Sequence, residues 1–492
     1  MKTTELSQST LDFLEPTQLP FYQNGSWVNS SSTVEVINPA TTQQIATIAL
    51  ATANDINESV DKAAIAFKTW STESVEYRAT CLRKLANLIT RDAQILAELE
   101  CIDVGKPISA ALGFDVPFAA DCFTYFADVA QEYQYVSDNN LTTTDSHVVK
   151  IPYGVGGFVF PWNFPLTLCA WGIAPALAAG NTVVVKPASE TPLSTLFLAK
   201  LCQEAGFPAG VVNVLPGTGD EAGEALISNT NIKLMSFTGS TAVGRHVGEV
   251  CGRNLVPAKL ELGGKGAAII CSDSDVDLAV EGLCGAVTLN AGQVCCTASR
   301  WYIHEDIYDQ FVEKAIATFN ATKVHNGANP DAEMGPICTE KQLNRVLHCI
   351  DDAQKQGATI LCGGNRLTEG DYKNGYFIEP TLLGGSDDNQ WAQEEIFGPV
   401  AFLLKFNDED EVIDRANKNN YGLANSIWTK DSDKAIKLAH KLVGGNTWIN
   451  AHNVFEYGLN YGACNQSGCG GGVNSVATFE GYLRHQSIAS IR

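Results

Sequence analysis

The sequence predicts an α/β protein with parallel sheets, and two observations carry that reading. Short apolar runs at 157–160 (GFVF), 182–186 (TVVVK), 211–215 (VVNVL) and 233–237 (KLMSF) recur about every 25 residues. Helix-like segments at 165–179, 191–204 and 219–228 separate them. Strands that alternate with helices pair in parallel, because each helix returns the chain to the same edge of the sheet.

The other elements follow in order. The first 50 residues read as short strands (YQNGSWVN, then TVEVINPATTQQIATIAL) with Gly25 and Pro39 at the turns. Helical periodicity runs from Asn54 to Asp103, with Val60, Ala63, Ala64 and Phe67 at three-to-four spacing. A further helix is expected over 110–135. A second α/β section begins near Gly263, with helices expected at 275–290, 306–323, 339–356, 409–419 and 431–443. Its strands are expected at 301–304, 359–362, 400–406 and 447–450. The alternation in YLRHQSIASI (482–491) reads as a terminal strand that pairs with another element or another subunit, against the alternative of a frayed tail.

Composition narrows the function. The chain has 492 residues, enough for about three units and a large core without metal or disulfide staples. Hydrophobic residues make up 45% and charged residues 18%, an ordinary globular mixture. Its net charge of −22 repels phosphate backbones, so no nucleic-acid partner is expected. No basic start precedes an apolar run at the N-terminus. The longest apolar stretch, 166–180, is interrupted by Thr167 and Pro175 and is too short for a membrane span. No membrane partner and a cytoplasmic location are therefore expected. The 15 cysteines include no CxxC pair, and no HExxH accompanies the 8 histidines, so no metal site is expected. Most of the cysteines read as small buried hydrophobes.

Ligands bind parallel sheets at the carboxyl ends of the strands. That rule gathers 161–165, 186–190, 215–219 and 238–244 around one crevice. FTGSTAVG (237–244) follows a strand and opens a helix, where Gly239, Ser240 and Gly244 offer N–H groups and a hydroxyl to an anion. LPGTGDEAG (215–223) is not a full GxGxxG. Cys295 lies in NAGQVCCTASR between a helix and a strand, Glu261 ends a strand in LELGGK, and Asn163 sits between prolines in PWNFP. Singly these read equally well as a tight turn, a buried thiol, a strand-end carboxylate and a turn amide. Together, a thiol nucleophile, a carboxylate base and an amide donor at the edge of one nucleotide-binding sheet suit oxidation through a covalent carbonyl adduct.

PWNFP, VVVKPASETP, FTGSTAVG, LELGGK, GQVCC, EEIFGPV and NTWIN, in this order over nearly the whole chain, resemble the aldehyde dehydrogenase superfamily, in its hydrolytic NAD(P)-dependent branch. The resemblance implies a Rossmann-like cofactor domain (1–136 and 153–262), an α/β catalytic domain (263–475) and a β oligomerisation arm (137–152 and 476–492). It implies a homodimer or homotetramer, a small-molecule aldehyde as substrate, and NAD or NADP as cofactor. Cys295 matches the nucleophile, Asn163 the oxyanion donor and Glu261 the base that activates water against the thioester. Pro161, Trp162, Lys186, Ser189, Glu190, Gly219, Phe237, Gly239, Ser240, Leu262, Glu395 and Phe397 match cofactor positions, with Lys186 and Glu395 toward the two riboses. Phe164, Leu168, Trp171, Val294, Cys296 and Phe455 match the substrate pocket, an apolar wall suited to hydrophobic aldehydes.

Three departures from the family pattern stand out. Three residues after Lys186, where NAD-preferring members often carry Glu, this chain has Ser189, so NADP is expected to be accepted. Gly172 and Gly472 occupy places where many members carry a Lys and a Glu linked to proton movement, and the surrounding YGACNQSGCGGG is degraded. The competing readings are a relative that kept the fold and lost the chemistry, and a dehydrogenase that passes its acyl group to coenzyme A.

Overall fold

A computed structural model describes residues 6–492. The first sheet has eight strands in the order Gly468–Cys469, Ala258–Glu261, Ile232–Thr238, Val155–Val159, Thr182–Lys186, Val212–Val214, Phe21–Gln23 and Ser26–Val28. The five strands from Ala258–Glu261 to Val212–Val214 are parallel. Val155–Val159 comes first in the chain. The next two strands add on one side of it and the following two on the other, so strand order reverses between Val155–Val159 and Ile232–Thr238. The reversal opens a crevice at the carboxyl ends there, because neighbouring loops leave in opposite directions.

The second sheet has seven strands in the order Thr359–Cys362, Thr381–Gly384, Val400–Phe406, Ala298–His304, Gly266–Ile270, Ala424–Trp428 and Asn446–Ile449. Within it only Thr359–Cys362 runs antiparallel. Thr182–Lys186 and Gly266–Ile270 are buried along their whole length, as strands covered on both faces must be, which is why both read as unbroken apolar runs. A third sheet pairs the terminal strand Leu483–Ile491 with Thr144–Pro152 and then Val136–Asn140, all antiparallel. A hairpin of Thr33–Ile37 and Gln44–Ala49 completes the strands.

The periodic stretch 54–103 divides into three helices, Ala53–Trp70, Val75–Arg91 and Ala93–Asp103. Local caps set the breaks. Thr52 and Asp55 form a reciprocal capping box, and the Ser74 hydroxyl accepts from the Tyr77 N–H. The helix expected over 110–135 is shorter, Val116–Glu132, and a π turn at Ala111–Asp115 leads into it. Pro117 at its start has no N–H to give, so the wider turn costs that position nothing. Asp115 in that turn joins Glu100 in holding the Lys106 ammonium, at 2.5 and 2.8 Å, and the ammonium lies 4.0 Å from the centre of the Phe164 ring. All three charged groups are buried, and the ammonium offsets one of the two negative charges beneath the PWNFP loop. Among the described residues no helix is long and apolar enough to cross a membrane.

Candidate active site

A cavity of about 600 Å³ lies at the strand-order reversal. Pro161, Trp162, Asn163 and Phe164 line it from the loop after Val155–Val159, and Thr238, Gly239, Ser240 and Thr241 from the loop after Ile232–Thr238. The opposing wall comes from the second sheet's connections: Val294, Cys295, Cys296, Glu394, Glu395 and Phe397. Phe114, Leu168, Trp171, Leu289, Phe455 and Tyr461 close one end with apolar and aromatic surface.

The approach to Cys295 is bent by three consecutive left-handed residues, Asn290 (φ 48°), Ala291 (φ 52°) and Gly292 (φ 68°). Gly292 has no alternative: a Cβ there would sit 2.1 Å from the Gly398 carbonyl oxygen. The two non-glycine residues cost on the order of 1–2 kcal/mol each. Buried Gln293 offsets part of that by donating to the Asn290 carbonyl at 2.8 Å and accepting from the Cys338 N–H at 2.9 Å. The strain therefore sits directly beside the thiol and is over-determined by its surroundings.

Cys295 is partly exposed to the cavity, whereas Cys296 is buried. The hydrogen-bonding Cys296 thiol, and then burial, hold the Cys295 thiol above its ordinary range, while the Tyr461 phenol acts the other way. The Cys296 Sγ donates to the Asn453 Oδ1 at 3.3 Å. The hydrogen bond with Cys295 holds the Cys296 thiol below its ordinary range, so what distinguishes Cys295 in the pair is access to the cavity, not acidity.

Asn163 is buried, and its Nδ2 donates to the Gln293 carbonyl at 2.9 Å. An amide nitrogen carries two hydrogens, so one remains for a ligand oxygen. Among the described residues nothing accepts from the Cys295 backbone N–H. Glu261 ends its strand with one carboxyl oxygen, Oε2, buried and unpartnered. Burial raises this carboxyl; the Lys259 ammonium lowers it and Cys295 raises it further.

Gly264 explains part of LELGGK. Its Cβ would fall 2.2 Å from the Cys295 carbonyl oxygen, and its N–H donates to the Glu395 Oε1 at 2.9 Å. One peptide thus touches both the thiol's own backbone and the Glu395 carboxylate, whose ionisation burial pushes up to about 7. Phe397 holds a left-handed backbone (φ 61°), with the Gln342 Nε2 donating to its carbonyl at 2.8 Å, and its ring meets Trp162 edge-on at 5.4 Å.

The structure brings Pro161, Trp162, Gly239, Ser240, Leu262, Glu395 and Phe397 into the cavity with Phe164, Leu168, Trp171, Val294, Cys295, Cys296 and Phe455. Glu261, Lys186, Ser189, Glu190, Gly219 and Phe237 fall outside its lining. Lys186 ends the neighbouring strand, buried, its Nζ donating to the Pro187 carbonyl at 3.0 Å; burial lowers it to about 8 despite the opposing pull of Glu190. Ser189 donates to the Gly217 carbonyl at 3.0 Å. Ser240 caps the 14-residue helix Thr241–Asn254, its hydroxyl accepting from the Val243 N–H. Phe237 packs under Gly239. A larger surface depression of about 1140 Å³, lined by Asp387, Arg415 and Glu411 among others, reaches none of Cys295, Asn163 and Glu261.

Sequence reasoning missed Tyr461, whose hydroxyl lies 3.5 Å from the Cys295 sulfur across 166 residues. It also missed Phe114, Leu289, Arg245, Gln342 and Arg345 at the cavity wall. No local pattern announces such long-range neighbours.

The sequence matches the profile of the family described as "Aldehyde dehydrogenase family" over residues 27–488. It is 40% identical over 457 residues to the mitochondrial aldehyde dehydrogenase of Homo sapiens, covering 91% of this chain and 87% of that protein. It is 40% identical over 467 residues to retinaldehyde dehydrogenase 3 of Mus musculus, covering 93% and 90%. Among solved structures it resembles the NAD⁺ complex of an aldehyde dehydrogenase from Bacillus cereus, with a TM-score of 0.96, 36% identity and 99% of both chains covered.

Proposed function

The chain belongs to the aldehyde dehydrogenase family, and on that premise we propose that it oxidises an aldehyde to a carboxylic acid through a covalent adduct on Cys295, which Glu261-activated water then hydrolyses. The observation that carries the reading is the place of the Cys295 sulfur: one cavity holds it between the loops at the carboxyl ends of the first sheet and the apolar aromatic end.

The Cys295 thiolate attacks the aldehyde carbonyl. Asn163 Nδ2 and the Cys295 N–H hold the resulting oxyanion, and a single donor of this kind is worth about 10² to 10³ in rate. A bound nicotinamide cofactor would supply the hydride acceptor here, and oxidation of the adduct would leave a thioester on Cys295. Glu261 takes a proton from water as the water oxygen adds to the thioester carbon, and the sulfur departs as thiolate. The presence of a carboxylate at 261 supports hydrolysis over transfer to coenzyme A.

The donor set fits a dinucleotide. Gly239 and Ser240 open a helix toward the cavity, which favours a pyrophosphate. Lys186 has ammonium hydrogens to spare for ribose hydroxyls, and Glu395 and Phe397 flank the nicotinamide half. The similar Bacillus cereus structure holds NAD⁺. With Ser189 where a carboxylate would repel a 2′-phosphate, NADP is accepted as well. Phe164, Trp171 and Phe455 favour hydrophobic aldehydes. The third sheet, with Ile488 and Ile491 exposed on its terminal strand, supports a homodimer or homotetramer.

Rapid mixing with excess aldehyde and NAD tests the reading. The unmodified enzyme gives a burst of reduced cofactor followed by steady turnover, Cys295→Ala gives neither, and Glu261→Gln gives the burst and then stalls. Equal loss of burst and turnover in Glu261→Gln overturns the role of the base.

A further inference from the structure

Glu261 shares its face of the strand Ala258–Glu261 with Lys259, because residues two apart on a strand point the same way. The intervening Leu260 points to the opposite side, into the core with Phe237 and Val247. Lys259 is only 7% exposed, yet among the described residues it has no hydrogen bond and no ion pair; its Nζ lies 5.5 Å from the centre of the Tyr482 ring. Burial lowers Lys259 to about 8, against the opposing pull of Glu261 and Cys122, and the fold keeps this costly cation two residues from the base.

Among the described residues no other cation acts on Glu261. The helix Pro165–Ala179 presents Gly172, where even a Cβ would meet the Phe160 ring at 2.5 Å. From the helix Val116–Glu132 the titratable group that faces Lys259 is Cys122. Tyr482, just before the terminal strand, and Cys295 are the other titratable groups near Glu261. On the edge strand side Gly470 packs directly on the Lys259 backbone, its Cβ position 2.7 Å from the Cα. Lys259 is the cation that acts on Glu261 among the described residues. The two groups make no direct ion pair, which leaves the carboxylate free to turn to water.

We propose that Lys259 is a positioning residue for the hydrolytic step, its ammonium on the shared strand face favouring the ionised form of Glu261 against the burial that opposes it, so that the carboxylate can take the water proton. The inference rests on the reading of Glu261 as base. In the step itself one water proton moves to the carboxylate, the water oxygen bonds to the thioester carbon, and the carbon–sulfur bond breaks to give the acid and the Cys295 thiolate. Glu261 then returns its proton to solvent, and the neighbouring positive charge favours that return.

The test follows decay of the acyl-enzyme in single turnovers against pH, beside the burst of cofactor reduction. Lys259→Met keeps the burst amplitude, slows decay at pH 7 by about tenfold and moves the acid limb of the decay profile up by about one pH unit. Lys259→Arg, which restores a cation, returns the limb toward its original position. Lys259→Gln carries the same comparison should the methionine variant fail to fold. An unmoved acid limb in the neutral variants, with Glu261→Gln still stalled after its burst, overturns the role of Lys259 and leaves the base standing. Normal turnover in Glu261→Gln removes the base and Lys259 with it.

Discussion

The Cys295 sulfur and the Tyr461 phenol oxygen stand 3.5 Å apart. Tyr461 is held there by a mutual backbone pair with Val473 and by ring contacts with Trp171 and Phe455 at 5.8 and 5.4 Å. A phenol donates to a thiolate more strongly than to a thiol, so it favours ionisation. Tyr461→Phe removes that donor and raises the thiol further. Alkylation of Cys295 by iodoacetamide at neutral pH is expected to slow about fivefold, with its pH midpoint moved upward. An unchanged alkylation profile counts against the contact.

Asn163→Ala is expected to lower kcat by about 10² to 10³ while Cys295 still alkylates, because the donor serves the oxyanion and not the free thiol. The Gln293 carbonyl loses a partner as well, at about 1 kcal/mol of stability, which thermal unfolding reads.

His452 supplies a pH dependence of stability. Its Nε2 donates to the Cys296 carbonyl at 2.8 Å, while its Nδ1 is buried and unpartnered. Burial lowers its pKa to about 4, against the Cys296 bond that raises it. Between that value and the unfolded value of about 6.5 the unfolded chain binds the extra proton, so stability is present at neutral pH and is lost as pH falls through this window. The loss amounts to about 3 kcal/mol on completion. His452→Gln, which keeps the donor and does not titrate, should flatten the unfolding curve across that range; an equal slope in both proteins contradicts this.

Gly264→Ala forces a Cβ against the Cys295 carbonyl. Relief requires moving the nucleophile's backbone, and a displacement of that kind costs about 10² in kcat/KM. Stability falls with it by about 1–3 kcal/mol, as in other overpacked sites. A variant of full activity places the strain elsewhere.

Ser189→Glu is expected to raise the ratio of kcat/KM for NAD over NADP by about tenfold, through repulsion of the 2′-phosphate. The comparison is made with both cofactors at fixed ionic strength, since screening weakens the effect. No change in the ratio places the 2′ position away from residue 189.

Local chemistry wrote the legible parts of this molecule. The strand 182–186 coincides with its apolar run because a fully covered strand has no polar face to interrupt it, and 400–406 does so up to exposed Lys405. The turn at Ser240 announces its helix because the cap is a single hydroxyl three residues from the N–H it receives. Glu261, Asn163 and Cys295 lie in the short motifs LELGGK, PWNFP and GQVCC, which is why the sequence singles them out as candidates. Helix breaks at Ser74 and Asp92 were not, since the apolar spacing continues across them. Tyr461 was out of reach because its proximity to Cys295 depends on how two distant loops pack. Lys259 lay within reach: K-L-E at the end of a strand already implies a shared face, and only its enclosure needed coordinates.

The peptide of Gly264 abuts Cys295 on one side and tethers Glu395 on the other. A push that shifts the carboxylate travels through a single rigid amide plane to the backbone behind the sulfur. Under the proposed reading, in which Glu395 meets the dinucleotide and Cys295 is the nucleophile, this one peptide joins the two positions.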